Sequence, residues 1–366
     1  MSFSLPTIDI SPYLTTDRNH SFESNKAIVT QIRQTCRTTG FFQIINHGIN
    51  PALQSGILVA AKHFFALPLD LKRQYIDTTA KKGYEEIGAQ ALEPGSRPDI
   101  KECYFVGSEP TVCHEPPYKP FEYPNIWPEP SILPEAVFKE PILKYHEAMC
   151  RLAQVIMEIL VKGLEDDFPR LKSGEILEEF CREPCASLRL LRYPGPSSNR
   201  AATSVGEVGD TDESAEMCHG DVVAGAHTDF RGITLLLQDG NRGLQVLHRG
   251  QGLGQNGEKQ ELQGVGEQQM WIDVPSTPHA FVVNIGDMFE RWTGGWYRST
   301  VHRVVSRCGG ERYSVPFFYD GNLEFVVRSL TQNGSLGGGR SGEYGQETEE
   351  MTVREYLLKK FDEIYL

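Results

Sequence analysis

Across 366 residues the chain carries 39% hydrophobic residues, 23% charged residues and a formal net charge of -13. That length suits about two domains at one per ~150 residues, and equally a single jelly roll with helical additions. The acidic balance excludes the basic stripe that nucleic acid requires, and no run approaches the ~18 apolar residues of a membrane span, so small molecules are the expected partners.

Residues 1–12 lack the basic and apolar regions of a secretory signal, and Ile364-Tyr365-Leu366 is not a peroxisomal address. The expectation is a cytoplasmic monomer or weak homodimer. Eight cysteines occur without a Cys-x-x-Cys pair, so free buried thiols are expected.

In chain order, residues 25–39 place Ile28, Ile32 and Cys36 at helical spacing, and Gly40 stops the helix. Phe41 to Ile45 reads as a buried strand ended by Asn46-His47-Gly48, and residues 51–68 return to an apolar-periodic helix with Phe64 and Phe65 on one side. Glu135 to Leu164 is again helical, with a broad apolar stripe that includes Leu152, Ile156 and Leu160. After Ser187 the chain turns to short β-rich runs at 188–193, 233–238, 243–247, 271–274, 280–285, 301–305 and 313–319, as in a sandwich or barrel. Residues 195–224, 249–268 and 331–350 are polar or glycine-rich and read as mobile loops. A helix from Val353 to Tyr365, with Tyr356, Leu357, Phe361 and Ile364 on one face, ends the chain. The domains expected are an α/β N-terminal region at 1–120, a helical segment packing on the core at 121–180, a jelly-roll core at 181–330, and a flexible loop and helix at 331–366.

The chemistry is concentrated in His227-Thr228-Asp229 and, 73 residues beyond Asp229, in His302. Two imidazoles and a carboxylate leave adjacent positions of an octahedral iron(II) open, as an oxygenase needs. A His-x-Asp pair is a weak signal alone, and His219-Gly220-Asp221 offers a competing one. The pair at 227 and 229 is preferred because Ile233 to Gln238, an apolar strand, follows it as a rigid mount. Alone, His302 would read as an ordinary core histidine. Ten residues after it, Arg312 and Ser314 share one face of a strand, with Tyr313 on the other. A guanidinium fork beside a hydroxyl can hold a carboxylate through charge-assisted hydrogen bonds.

These blocks resemble the isopenicillin N synthase-like branch of the 2-oxoglutarate- and iron(II)-dependent dioxygenases. The resemblance extends over nearly the whole chain, from Leu5-Pro6-Thr7-Ile8-Asp9-Ile10, Gly40 to Ile49, Phe64 to Pro68, Lys82-Gly83-Tyr84 and Asp99-Ile100-Lys101-Glu102 to Asn284-Ile285-Gly286-Asp287, Ser299 to Val304 and Arg312 to Phe318. It implies a double-stranded β-helix holding Fe(II) through His227, Asp229 and His302. It further implies that 2-oxoglutarate chelates the metal, with its distal carboxylate on Arg312 and Ser314 and with Tyr193 near its own or the substrate's carboxylate; a core tyrosine is the equal alternative for Tyr193.

The implied reaction consumes O2 and 2-oxoglutarate, releases succinate and CO2, and hydroxylates, desaturates or cyclises a small organic molecule, plausibly in secondary metabolism. Retention of Asp229 argues against halogenation. Arg231, where relatives often carry a small residue, could bind an acidic substrate or point to solvent, and Leu191-Arg192 replaces an Asn-Tyr pair common in plant members. Phe105, Phe230, Trp292 and Phe318 are candidate pocket residues, though each alone reads better as core. Two other readings remain: an Fe(II) oxidase of the isopenicillin N synthase type that uses O2 without 2-oxoglutarate, and an inert binding protein, which would have a damaged triad.

Overall fold

The computed structural model describes residues 4–15, 21–79, 82–93, 95–109, 117–195, 220–249, 269–307, 310–331 and 350–365. The N-terminal part runs β1 (Thr7–Asp9), α1 (Ser11–Leu14), α2 (Ser21–Thr38), β2 (Phe41–Ile45), α3 (Pro51–Phe65), α4 (Leu69–Arg73), β3 (Ile76–Asp77), β4 (Lys82–Glu85) and β5 (Glu102–Gly107). Then come α5 (Lys139–Lys162), α6 (Ser173–Phe180), β6 (Pro184–Tyr193), β7 (Val222–His227), β8 (Ile233–Gln238), β9 (Leu244–Arg249) and β10 (Gln269–Asp273). The chain continues through β11 (Phe281–Ile285), α7 (Asp287–Trp292), β12 (His302–Val305), β13 (Arg312–Asn322), β14 (Val326–Val327), β15 (Met351–Thr352) and α8 (Val353–Tyr365).

Local chemistry sets the helix ends. At the close of α2 the amides of Thr39 and Gly40 both donate to the Thr35 carbonyl, at 2.9 and 3.0 Å, with Gly40 at φ +64°. A side chain at Gly40 would also meet the Arg298 carbonyl oxygen at 1.9 Å, so only glycine suits the turn. Asn50 caps α3 by accepting from the Ala52 amide at 2.8 Å. That helix stops at Phe65, short of the expected 68, because Pro68 disfavours helical backbone at Leu67. Similarly α5 begins at Lys139 and not Glu135, since Pro141 is tolerated only in a helix's first turn.

Nine strands form the large sheet, in the order β1-β2-β11-β8-β13-β6-β5-β4-β3, and four form a smaller one, β10-β9-β12-β7. Strand alternation gives the large sheet two apolar faces. Tyr313, Val315, Phe317, Leu188 and Leu190 join the core that contains the buried stripe of α5, whereas Leu191, Tyr193, Val282 and Leu236 point the other way and pack with Val223, Leu244, Val246 and Val304 of the small sheet. The space between the sheets is the interior of the expected jelly roll.

Several expectations change. Val222–Ala224, assigned to a mobile loop, begin β7, which pairs antiparallel with β12. The short helices α4, α6 and α7 and strands β3 to β5 carry too little periodicity to be read from sequence. Residues 196–219, with His219, and residues 250–268 and 332–349 lie outside the described residues, as does the Ile364 side chain. Among the described residues five cysteines are free, and no helix is long and apolar enough to cross a membrane.

Candidate active site

Cross-strand register brings the histidines together. His302, first residue of β12, pairs directly with His227, last residue of β7, and their ring centroids lie 4.3 Å apart. Asp229 follows as the chain crosses from the small sheet to β8 of the large one, which puts its Oδ1 3.8 Å from His302 Nε2. One ligand atom from each of the three residues lies within 4.8 Å of the others.

The surroundings prepare these atoms for a metal. His227 Nδ1 lies 2.7 Å from the Gly225 carbonyl oxygen and His302 Nδ1 3.1 Å from that of Thr300. A carbonyl only accepts, so both Nδ1 atoms carry the proton and both Nε2 lone pairs are left for coordination. Burial, with a second imidazole close by that disfavours adding a positive charge, lowers His227 to a pKa of about 4, which keeps it neutral at physiological pH. Burial alone would raise the Asp229 carboxyl, but the two imidazoles and hydrogen bonds from Thr234 and Asn284 outweigh it and hold the group below its usual range. Those donors, Thr234 Oγ1 and Asn284 Nδ2, both reach Asp229 Oδ2 at 2.7 Å, which leaves Oδ1 facing the imidazoles. This donor set and its fixed orientation fit one divalent iron.

The turn itself is latched from α7. The Asp287 amide donates to the Asp229 carbonyl at 2.7 Å, the Gly286 amide to the Gly232 carbonyl at 2.9 Å, and Thr228 Oγ1 to Asp287 Oδ2 at 3.0 Å. A side chain at Gly286 would lie 2.1 Å from the Arg231 carbonyl oxygen, so this close approach requires glycine.

Deeper in the barrel Arg312 is 5% exposed, with its guanidinium carbon 5.0 Å from the Tyr193 ring opposite it in register. Its Nη1 donates to Ser314 Oγ at 3.1 Å and its Nη2 to Gln238 Oε1 at 3.0 Å, while Nε is buried with no partner among the described residues. A buried, orphaned guanidinium donor beside a hydroxyl fits a carboxylate ligand such as one end of 2-oxoglutarate.

One cavity joins the two centres. His227, Asp229, His302, Arg312, Ser314 and Tyr193 all border it, as do Phe230, Arg231 and Phe318. Two pocket candidates do not. Trp292 is stacked on Phe180 and packs edge-on to Phe289 and Phe325 in the helix-side core, and Phe105, opposite Arg189 in the β5–β6 register and 5.1 Å from its guanidinium, is not part of the cavity's border. Arg231 does not take the solvent-facing course. It is buried, bonded to the fully buried Asp320 at 2.5 Å and ringed by Phe230, Phe318 and Phe361 at 4.9 to 5.3 Å, so its charge is already neutralised. Sequence reasoning gave no role to Thr234, Asn284 or Gln238, whose only signal was a polar residue on the inward face of an apolar strand.

Comparison with known proteins agrees with this chemistry. The family model described as the 2OG-Fe(II) oxygenase superfamily matches residues 191–321, and that of the non-haem dioxygenase in morphine synthesis N-terminal region matches residues 5–130. The 2-oxoglutarate-dependent dioxygenase citB of Monascus ruber is 35% identical over 370 residues, covering 100% of this chain and 96% of that protein. The 2-oxoglutarate-dependent dioxygenase tropC of Talaromyces stipitatus is 34% identical over 345 residues, with 93% of each chain covered. Among solved structures, full-length Neurospora crassa T7H in complex with alpha-KG and 5-formyluracil superposes with a TM-score of 0.69 at 26% identity, covering 97% of this chain and 95% of that one. The chain therefore belongs to the 2OG-Fe(II) oxygenase superfamily, as a non-haem dioxygenase that uses Fe(II), 2-oxoglutarate and O2 on a small-molecule substrate.

Proposed function

We propose that His227, Asp229 and His302 hold the iron, that Arg312 and Ser314 hold the distal carboxylate of 2-oxoglutarate with Tyr193 beside them, and that Phe230 and Phe318 form part of the substrate wall. The observation that carries this reading is the single cavity bordered by both the triad and the half-satisfied guanidinium. When bound, iron and 2-oxoglutarate supply the oxidising power, with 2-oxoglutarate converted to succinate and CO2 as O2 is consumed.

The protein's own part is position and exclusion of water. Backbone carbonyls fix the tautomer of each histidine, Thr234 and Asn284 aim Asp229, and Gln238 with Ser314 steadies the Arg312 fork. The apolar walls keep the reacting region dry. The product is a hydroxylated, desaturated or cyclised small organic molecule. Secondary metabolism, a cytoplasmic location and a monomeric or weakly dimeric state belong to this proposal, and the net charge of -13 supports action on a small molecule and not on nucleic acid.

Anaerobic addition of iron(II) and 2-oxoglutarate is expected to give the weak visible charge-transfer band of the chelate. A protein that binds iron without that band would favour the 2-oxoglutarate-independent oxidase. The double variant Thr234→Val/Asn284→Leu removes both donors from Asp229, and it is expected to bind iron(II) about 10- to 100-fold more weakly in a chelator competition. Wild-type affinity in that variant would remove Thr234 and Asn284 from the site.

A further inference from the structure

Arg231 borders the cavity, is 3% exposed and is paired with a fully buried carboxylate, so beside the metal turn it is a cation whose charge is already met. Taking an ion pair out of water is unfavourable unless its geometry compensates. Here the edge of the guanidinium donates from Nη1 to Asp320 Oδ2 at 2.5 Å, and Asp320 Oδ1 accepts the Gly232 amide at 3.2 Å. Three rings surround the rest of the group. Its central carbon lies 4.9 Å from the Phe230 ring centre, 5.3 Å from that of Phe318 and 5.2 Å from that of Phe361. A planar cation can bond a carboxylate at its edge and still pack against rings, which a compact ammonium does far less well.

The rings are not equivalent. Phe230 and Phe318 are half-buried and border the cavity, whereas Phe361, on α8, is buried and does not border it. Phe361 packs edge-on to Phe230 at 5.5 Å and against Phe121 at 5.5 Å, which ties the cavity wall to α8. Register places the two bordering rings at the metal. Phe318 lies opposite Thr234, whose hydroxyl aims Asp229, and Phe230 follows Asp229 directly in the chain. Ser314, at the cosubstrate end, is four residues back on the same face of β13, or ~13 Å at the rise of a strand. The two rings therefore stand apart from the place given to 2-oxoglutarate, and Arg231 touches both.

We infer that Arg231 is a positioning residue for the substrate: paired with Asp320, it acts as a plate that holds Phe230 and Phe318 at a fixed spacing beside the triad, where they seat a flat, unsaturated ring of the substrate. This rests on the assignment of Phe230 and Phe318 to the substrate wall. A small side chain at 231 would leave both rings without the plate, and a lysine would keep the charge but lose the plane. Rings held in place favour a flat partner, offset or edge-on, over a puckered one of the same carbon skeleton.

The test uses full-length protein loaded anaerobically with iron(II) and 2-oxoglutarate, with 2-naphthylmethanol and its saturated counterpart decahydro-2-naphthylmethanol as probes in calorimetric titration. The flat alcohol is expected to bind about three- to tenfold more tightly, on the scale of one aromatic pair. Arg231→Lys keeps a cation for Asp320, and it is expected to remove most of that preference while thermal stability and 2-oxoglutarate affinity stay near those of the parent. A purely structural ion pair predicts the opposite, an intact preference in the lysine variant. Arg231→Met/Asp320→Asn removes both charges together and should lose the preference as well, which keeps the test open if the lysine variant fails to fold. Equal affinities for the two alcohols, no binding of the flat one, or a preference that survives in both Arg231 variants would overturn the inference. The wall assignment beneath it is read separately, in Phe230→Leu and Phe318→Leu. If the parent prefers the flat alcohol and neither leucine variant weakens its binding, the wall assignment fails; if they weaken it and the Arg231 variants do not, only the role of Arg231 falls.

Discussion

His302→Ala is expected to abolish iron retention and turnover while leaving the fold in place. The imidazole stands at the first position of β12, paired with His227 across the ladder, and its ring also packs edge-on to Phe41 at 5.2 Å. Removing it takes one of three protein ligands. Loss of a group that merely orients a ligand costs about 10- to 100-fold in metal affinity, so loss of the ligand itself should exceed that range. The backbone pairing of β12 with β7 and β9 does not involve the side chain, and Val304 and Val305 remain in the core. Metal analysis after gel filtration should therefore find the variant iron-free, with a circular dichroism spectrum like that of the parent. A variant that keeps stoichiometric iron and full turnover would sink the triad assignment.

What could be read in advance follows the range of the interactions concerned. His227 and Asp229 share a motif of three residues, and Arg312 and Ser314 share another, so their relation is local and visible in the sequence. Thr234, Asn284 and Gln238 act through register. Asn284 lies opposite Thr234 where β11 pairs β8, and Gln238 lies opposite Ser314 where β8 pairs β13, between segments far apart in the chain. Nothing at positions 234, 238 or 284 alone announces a partner. The same reason hid β7, since Val222 to Gly225 follow an acidic stretch and become a strand by pairing with Val304 and Val305.

Aromatic residues were the weakest guide, because ring chemistry suits a pocket and a core equally. Phe230 and Phe318 border the cavity while Trp292 is stacked on Phe180 on the opposite side of the large sheet. Alternation along β13 could separate such cases, since Phe318 shares the face of Arg312 and Ser314. It offers nothing for Trp292, which sits on a six-residue helix too short to show a period. Arg231 shows the converse difficulty. Its partner Asp320 lies 89 residues on, and without that pairing a charge beside a metal motif reads as available.

Arg312→Lys is expected to weaken 2-oxoglutarate binding by about a hundredfold or more, with iron affinity unchanged. A lysine keeps the charge but has one ammonium where the guanidinium presents a planar fork, and here the fork is held on two sides, by Ser314 Oγ at 3.1 Å and Gln238 Oε1 at 3.0 Å. Shortening that group withdraws the buried Nε donor and the stacking over Tyr193 as well. Truncating one partner of a buried, hydrogen-bonded charge pair costs ~3 to 5 kcal/mol, and each 1.4 kcal/mol is about a decade, so two decades is the lower end of the expected loss. Retained charge places lysine near that end. Ser314→Ala, which removes one hydrogen bond to a charged group, should cost less, about 1.5 to 3 kcal/mol. The measurement is the 2-oxoglutarate constant from anaerobic titration of the iron-loaded protein, with KM for 2-oxoglutarate as the kinetic counterpart. A pure anchoring role predicts that saturating 2-oxoglutarate restores much of kcat. An unchanged constant in Arg312→Lys would overturn the assignment of the cosubstrate carboxylate to Arg312.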